Sequence, residues 1–150
     1  MELKLPPVLL VALIAASMWL AARFVPALAF ASPGRAIISV VLLFLGLALG
    51  AGGVISFRQA RTTVDPRKPG EASSLVVVGL YRVTRNPMYL GLVCVLLGWA
   101  LYLSNMLSLA LVAAFIAYMN RFQIAPEERA LEALFGDEYR AYKRRVRRWI

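Results

Sequence analysis

Uncharged apolar stretches alternate with short charged blocks along this chain, and the stretches are long enough to span a membrane. Leu5–Ala22 runs for 18 residues and Ala36–Phe57 for 22 without a charged side chain. Asn86–Asn120 is also uncharged, and Ser104-Asn105 divides it into halves of about 17 residues each. A helix needs about 20 apolar residues to cross the hydrocarbon core of a bilayer. The pattern therefore predicts an all-α integral membrane protein with about four transmembrane helices and a C-terminal amphipathic cytoplasmic helix. A single membrane domain is expected over 1–150: two spans in 1–57, a loop in 58–85, a helical hairpin in 86–122 and a tail in 123–150. The first stretch is too long, and its start too weakly basic, to read as a cleaved signal.

Local punctuation refines the elements. Pro6-Pro7 opens the first helix, Pro26 ends it, and Ser32-Pro33-Gly34 is a turn. Gly46 and Gly50 stand four apart in the second helix, a spacing that lets another helix approach closely. Asp65 to Ser74 is a loop rich in Pro, Lys and Gly. Leu75–Leu80 is apolar and β-branched, which suits a short strand or a segment pressed on the membrane. Asn86-Pro87 reads as a helix start, with Asn as the cap and Pro in the first turn. Pro126 followed by Glu127-Glu128 is another start, with acids in the first turn. Beyond it, Leu131, Leu134, Phe135, Tyr139, Tyr142, Val146 and Trp149 recur at helical spacing, with a break expected at Gly136-Asp137.

Composition agrees with the membrane reading: 61% of the residues are hydrophobic and the mean hydropathy is +0.70. The net charge of +9 would raise nucleic acid as a partner in a soluble protein. Here it reads as topology and as attraction to anionic lipid. Arg58, Arg61, Arg67, Lys68, Arg82 and Arg85 lie between the second and third helices. Arg121, Arg129, Arg140, Lys143, Arg144, Arg145, Arg147 and Arg148 follow the fourth. Only Arg23 and Arg35 fall on the other side, so both termini are expected in the cytoplasm, the membrane being a bacterial inner one. The partners expected are the bilayer and a lipophilic substrate, with no nucleic acid.

Candidate chemistry is bounded by what is missing. The chain has no histidine and a single cysteine, Cys94, in an apolar helix where it reads as a packing residue. Histidine-based bases, triads and metal sites are excluded, and no metal is expected. What remains are two charged blocks flanking the last hairpin. The start of the third helix offers free N–H groups for an anion, with Arg85 beside it as a bidentate donor. Glu127 or Glu128 suits an ammonium or a ribose hydroxyl, and Tyr89, Phe135, Tyr139 or Tyr142 suits an adenine. Together these are the groups that S-adenosylmethionine requires. Each block also has a plain structural account: a capped helix with a basic flank, and acids complementing a helix dipole.

The chain resembles the isoprenylcysteine carboxyl methyltransferase and phospholipid methyltransferase family over Val78–Trp149. The residues that carry the likeness are Gly79, Tyr81, Arg85, Asn86, Pro87 and Tyr89, then Glu127, Glu128, Leu131, Phe135, Gly136, Tyr139 and Tyr142. It implies a membrane-embedded enzyme that moves a methyl group from S-adenosylmethionine to a lipophilic acceptor, either an isoprenylcysteine-type carboxylate or a phospholipid amine. Tyr81, Arg85, Asn86, Pro87, Tyr89, Leu90, Glu127, Glu128, Phe135, Tyr139 and Tyr142 would bind the cofactor, with Arg85 and Glu128 at the chemistry. Arg147 and Trp149 would meet the substrate. At Asn86 the eukaryotic carboxyl methyltransferases usually carry a histidine, so the likeness supports no proton transfer there. The alternatives are a relative of membrane NADPH-dependent sterol-type reductases and a non-enzymatic lipid-binding scaffold.

Overall fold

The computed structural model describes residues 5–31, 33–60 and 74–150. Ser32 of the first turn, the loop from Asp65 to Ser73, and Arg61 before it lie outside the described residues, and Arg67 and Lys68 fall in that loop. Five helices carry the fold: α1 (Pro7–Phe24), α2 (Arg35–Gln59), α3 (Pro87–Leu103), α4 (Met106–Tyr118) and α5 (Ala125–Arg145). α1 and α2 are long and apolar enough to cross a membrane, as is the helical rod Met106–Arg145; α3, with 17 residues, falls just short of 18. The four expected apolar helices are present. The fourth differs in that it does not stop before the tail: a π-helical turn, Met119–Ile124, joins α4 to α5 without a loop. π turns shift the register of the side chains that follow and are frequent at functional sites.

α2 and α3 form the tightest pair, for a reason visible in their glycines. A Cβ on Gly46 would lie 2.6 Å from the carbonyl oxygen of Gly91, and one on Gly91 would lie 2.6 Å from that of Gly46. Only glycine on both faces lets the backbones approach this closely. α1 lies across α3 and α4, where Met18, Leu96, Ala100, Val112, Phe115 and Met119 form a buried apolar core. Two side chains pin it to backbone carbonyls that helix bonding leaves accessible: Trp99 Nε1 donates to Ala15 O at 3.1 Å and Ser108 Oγ to Met18 O at 3.3 Å. The outer faces, with Val8, Phe24, Ile37 and Phe44 each more than half exposed, are apolar, as lipid contact demands.

The α3–α4 turn closes the end of the bundle away from the charged blocks. Ser104 adopts φ +48°, and Asn105 caps α4 by accepting from Leu107 N at 3.0 Å while donating to Val25 O at 3.0 Å. At the opposite end no strand forms among the described residues. Leu75–Val77 takes no regular structure, and Val78 is extended and leads into a single 3-10 turn, Gly79–Arg82. Gly79 takes φ +58° there, and a Cβ would lie 2.8 Å from Ser56 Oγ, so the turn fits against α2 because the residue is glycine. The expected break in the tail is also found. Gly136 has φ +52° and ψ −121°, which kinks α5 and turns its second half back toward α3. Tyr139, Tyr142 and Val146 beyond the kink are buried with Leu75, Val77, Leu131 and Phe135, whereas Leu134 remains exposed.

Candidate functional site

The charged blocks meet where the N-terminus of α3, the start of α5 and the last residues of the chain converge. Glu128, 43 positions after Arg85, is the hub. Its Oε1 accepts from Arg85 Nη2 at 2.7 Å and from Arg148 Nε at 3.1 Å, and its Oε2 accepts from Arg148 Nη2 at 2.5 Å. Glu128 and Arg85 have side chains only 8% and 10% exposed, whereas Arg148 is 36% exposed. Burial alone would push the Glu128 carboxyl up. The hydrogen bonds and charges of Arg148 and Arg85 prevail and hold it below its ordinary value. Glu128 is therefore an anion locked between two cations.

Glu127, its neighbour, faces a different environment. Its Oε1 accepts from Tyr89 Oη at 2.5 Å and from Gln123 Nε2 at 2.6 Å, and no cation pairs with it in these bonds. Burial pushes its carboxyl up to about 7, against the pull of those two donors and with a small push from Glu128. Adjacent carboxyls are thus shifted in opposite directions, the arrangement by which proteins assign different acid–base roles to like groups. The π turn makes this possible by delivering Gln123 and Glu127 to the same side as Tyr89 of α3.

The end of the chain is strapped across the start of α3. Arg85 N donates to Arg147 O at 3.0 Å, Asn86 Nδ2 to Arg148 O at 2.9 Å and Thr84 Oγ1 to Arg148 O at 3.3 Å. Arg85 Nη1 donates to Val146 O at 2.6 Å and Lys143 O at 3.1 Å. Trp149 Nε1 ties to Asn120 Oδ1 at 3.1 Å, and Tyr142 Oη to Tyr81 O at 2.8 Å.

These contacts revise two expectations about local structure. Asn86 stands at the N-cap of α3, but its side chain accepts no helix N–H. Its amide is drawn instead to the strap, and a backbone at φ −132°, ψ 56° does not aim it at the helix. Both terminal nitrogens of Arg85 are committed within the protein. Its Nε is buried without a partner, one of two such side-chain atoms among the described residues. Of the other residues expected to bind a cofactor, Pro87 is buried, Leu90 half-buried with its N–H on Asn86 O, and Tyr81, Tyr139 and Tyr142 buried beside the hub, with Phe135 partly buried on the same cluster. Arg147 exposes its side chain and contributes only its carbonyl, and Trp149 is half-buried in the strap. Sequence reasoning missed Gln123, Thr84 and Asn120, and read Arg148 only as part of a basic run.

A family model for phospholipid methyltransferases matches residues 35–138, more than two thirds of the chain. The chain belongs to the phospholipid methyltransferase family. The matched region holds α2, α3, α4 and most of α5, and so Arg85, Tyr89, Gln123, Glu127 and Glu128, but ends before the strap. Individual relatives agree with this membership. Protein-S-isoprenylcysteine O-methyltransferase of Schizosaccharomyces pombe is 29% identical over 104 residues, 69% of this chain and 44% of that protein. Methanethiol S-methyltransferase 1 of Bradyrhizobium diazoefficiens is 40% identical over 67 residues, 45% of this chain and 22% of that one. An uncharacterized protein of Haemophilus influenzae is 56% identical over 63 residues, which is 42% of this chain and that protein's whole length. The matches to this phospholipid methyltransferase family member thus cover less than half the length of the two named enzymes. No solved structure matches it at a significant level.

Proposed function

We propose that this chain is an integral membrane methyltransferase that uses S-adenosylmethionine to methylate a lipophilic acceptor. The observation that carries the reading is the pair of adjacent carboxyls, one paired with two arginines and one held by Tyr89 and Gln123, at the point where α3 and α5 meet. Membership of a methyltransferase family and the names of two relatives support it over a reductase or a scaffold.

The residues present suit that cofactor in kind. Glu127, held by neutral donors, can meet an ammonium or a ribose hydroxyl, and Arg85 Nε is a buried donor still without an acceptor. Tyr139, Tyr142 and Phe135 supply aromatic surface. When bound, S-adenosylmethionine supplies an electrophilic methyl group. A carboxylate acceptor attacks without a base. An amine acceptor must lose a proton before it can attack.

Calorimetric titration of the purified protein with S-adenosylmethionine and with NADPH tests this. S-adenosylmethionine is expected to bind and NADPH not to; the reverse outcome identifies a reductase, and binding of neither a scaffold. Glu127→Gln is expected to weaken cofactor binding by about 2–4 kcal/mol, roughly 30-fold or more. A cationic ligand favours the anionic carboxylate, so wild-type affinity should rise as pH passes upward through about 7. In Glu127→Gln that part of the pH dependence should vanish. Equal affinities and pH profiles in the two proteins would remove Glu127 from the site.

The orientation follows from the distribution of Lys and Arg: the site, the loop before α3 and both termini lie in the cytoplasm of a bacterial inner-membrane protein. A reporter that is active only outside the cytoplasm, fused after Ile150, should stay silent. A strong signal would invert the topology.

A further inference from the structure

α1 packs on α3 and α4, and α2 packs on α3, and between α1 and α2 a cavity of about 390 Å³ is left against α3. We propose that this cavity binds one acyl chain of a bilayer lipid, entering sideways from the leaflet opposite the charged site. Val11 and Ala15 of α1, Val40 and Leu43 of α2, and Trp99 and Tyr102 of α3 line it, and no polar atom faces the space. Two groups that might have broken this apolar lining are silenced. The Trp99 indole N–H is spent on Ala15 O, leaving the Trp99 and Tyr102 rings as an aromatic wall stacked at 5.7 Å and 13°. The Ser39 hydroxyl, although without a partner, is sealed from the surface.

Water has no bonding partners in such a space, and apolar cavities of this kind stay dry. A methylene occupies about as much room as a water molecule, ~30 Å³, so 390 Å³ accommodates about 13 of them, most of one lipid chain. The entrance is also on the page. Val40, Leu43 and Tyr102 are 51%, 41% and 52% exposed; the first two sit on α2, which is long and apolar enough to cross a membrane, and Tyr102 on the apolar α3 packed against it, so acyl chains are what a bilayer would set at this rim. The methyl acceptor's own tail is the less suitable occupant. Between the charged site and the cavity the α2–α3 seam is closed by the contact of Gly46 with Gly91, through which no hydrocarbon chain passes. The chain supplied by the lipid fills what α1 and α2 leave unfilled. The inference is independent of the methyltransferase reading.

The test is lipid retention. Full-length protein in a maltoside detergent is incubated with dipalmitoyl phosphatidylglycerol, washed by detergent exchange and weighed intact by native mass spectrometry. One retained lipid per chain is expected, and the same with dipalmitoyl phosphatidylethanolamine, because the chain and not the headgroup is held. Dihexanoyl phosphatidylglycerol should not be retained. Ala15→Phe puts a ring into the cavity and should reduce retention about tenfold or more. Ala12→Phe, on an exposed face that does not line the cavity, should leave it unchanged. Val40→Trp, at the exposed rim, blocks the mouth should Ala15→Phe fail to fold. No retention by the wild type, or undiminished retention by the cavity variants, would overturn the proposal. So would a retained lipid that gains a methyl group when S-adenosylmethionine is added, which would give the cavity to the acceptor.

Discussion

Glu128→Gln should destabilise the protein by about 3–5 kcal/mol, the range for removing one member of a buried ion pair. The cost arises less from lost attraction than from what is left behind. Arg85 would keep its charge at 10% exposure with no carboxylate to meet it. Arg148, 36% exposed, can turn to water, so Arg148→Ala should cost far less, about 1 kcal/mol. The double replacement Glu128→Leu with Arg85→Met removes both buried charges and should recover much of the loss, a coupling that a double-mutant cycle reads directly. Thermal unfolding in one detergent checks the series. The pH dependence has a definite sign. A carboxyl held below its ordinary value of 4.5 contributes stability above that value and forfeits it as pH falls further. The gap between wild type and Glu128→Gln should therefore narrow on acidification below about 4.5. A single variant as stable as wild type, or a gap independent of pH, would show that the triad is not what joins α3, α5 and the strap.

Gly91→Val should be nearly as damaging, at about 3 kcal/mol or more, because the obstruction is backbone and cannot turn aside. A Cβ at residue 91 would lie 2.6 Å from Gly46 O and 3.1 Å from Gly50 N, so α2 and α3 must separate along their whole contact. The facing helix contains a control. A Cβ at Gly50 meets nothing within 4 Å, and Gly50→Ala should be neutral or raise stability by up to about 1 kcal/mol through helix propensity. Equal effects of Gly91→Val and Gly50→Ala on the unfolding midpoint would refute the close approach. Gly91→Val should also weaken cofactor binding, since α3 and the residues just before it carry Tyr89 and Arg85 to the site.

The helices and the break at Gly136 were legible because their causes are local: uninterrupted apolar length and a residue free of a Cβ. The glycine contact was legible only at Gly46, since its partner is Gly91 of α3 and a Cβ at Gly50 would meet nothing within 4 Å. The meeting of Glu127 and Glu128 with the start of α3 was legible only as chemistry that belongs together. Which acid does what was not. Both occur in one dipeptide, and their carboxyls shift in opposite directions because Arg148, 20 positions away, and Arg85 hold Glu128 down while burial pushes Glu127 up. Gln123 left one usable trace, its position a single helical turn before Glu127. Arg148 left none, since Arg144, Arg145 and Arg147 crowd its neighbourhood and nothing local distinguishes the one that turns inward. Thr84 and Asn120 bond to partners across the fold, and neither position stands out in the sequence.

The strap carries a lesson for comparing this chain with others. Arg85, Thr84 and Asn86 bond to the carbonyls of Lys143, Val146, Arg147 and Arg148, which any amino acid at those positions would provide. Aligned sequences could therefore diverge freely at Lys143 and Arg147 while the geometry stayed fixed, and a conservation profile would score those two positions as dispensable. Shortening the chain is another matter, because deletion takes the carbonyls with it. Apart from the side chains of Arg148 and Trp149, the tail is a part of the site whose importance is written in its length rather than its spelling.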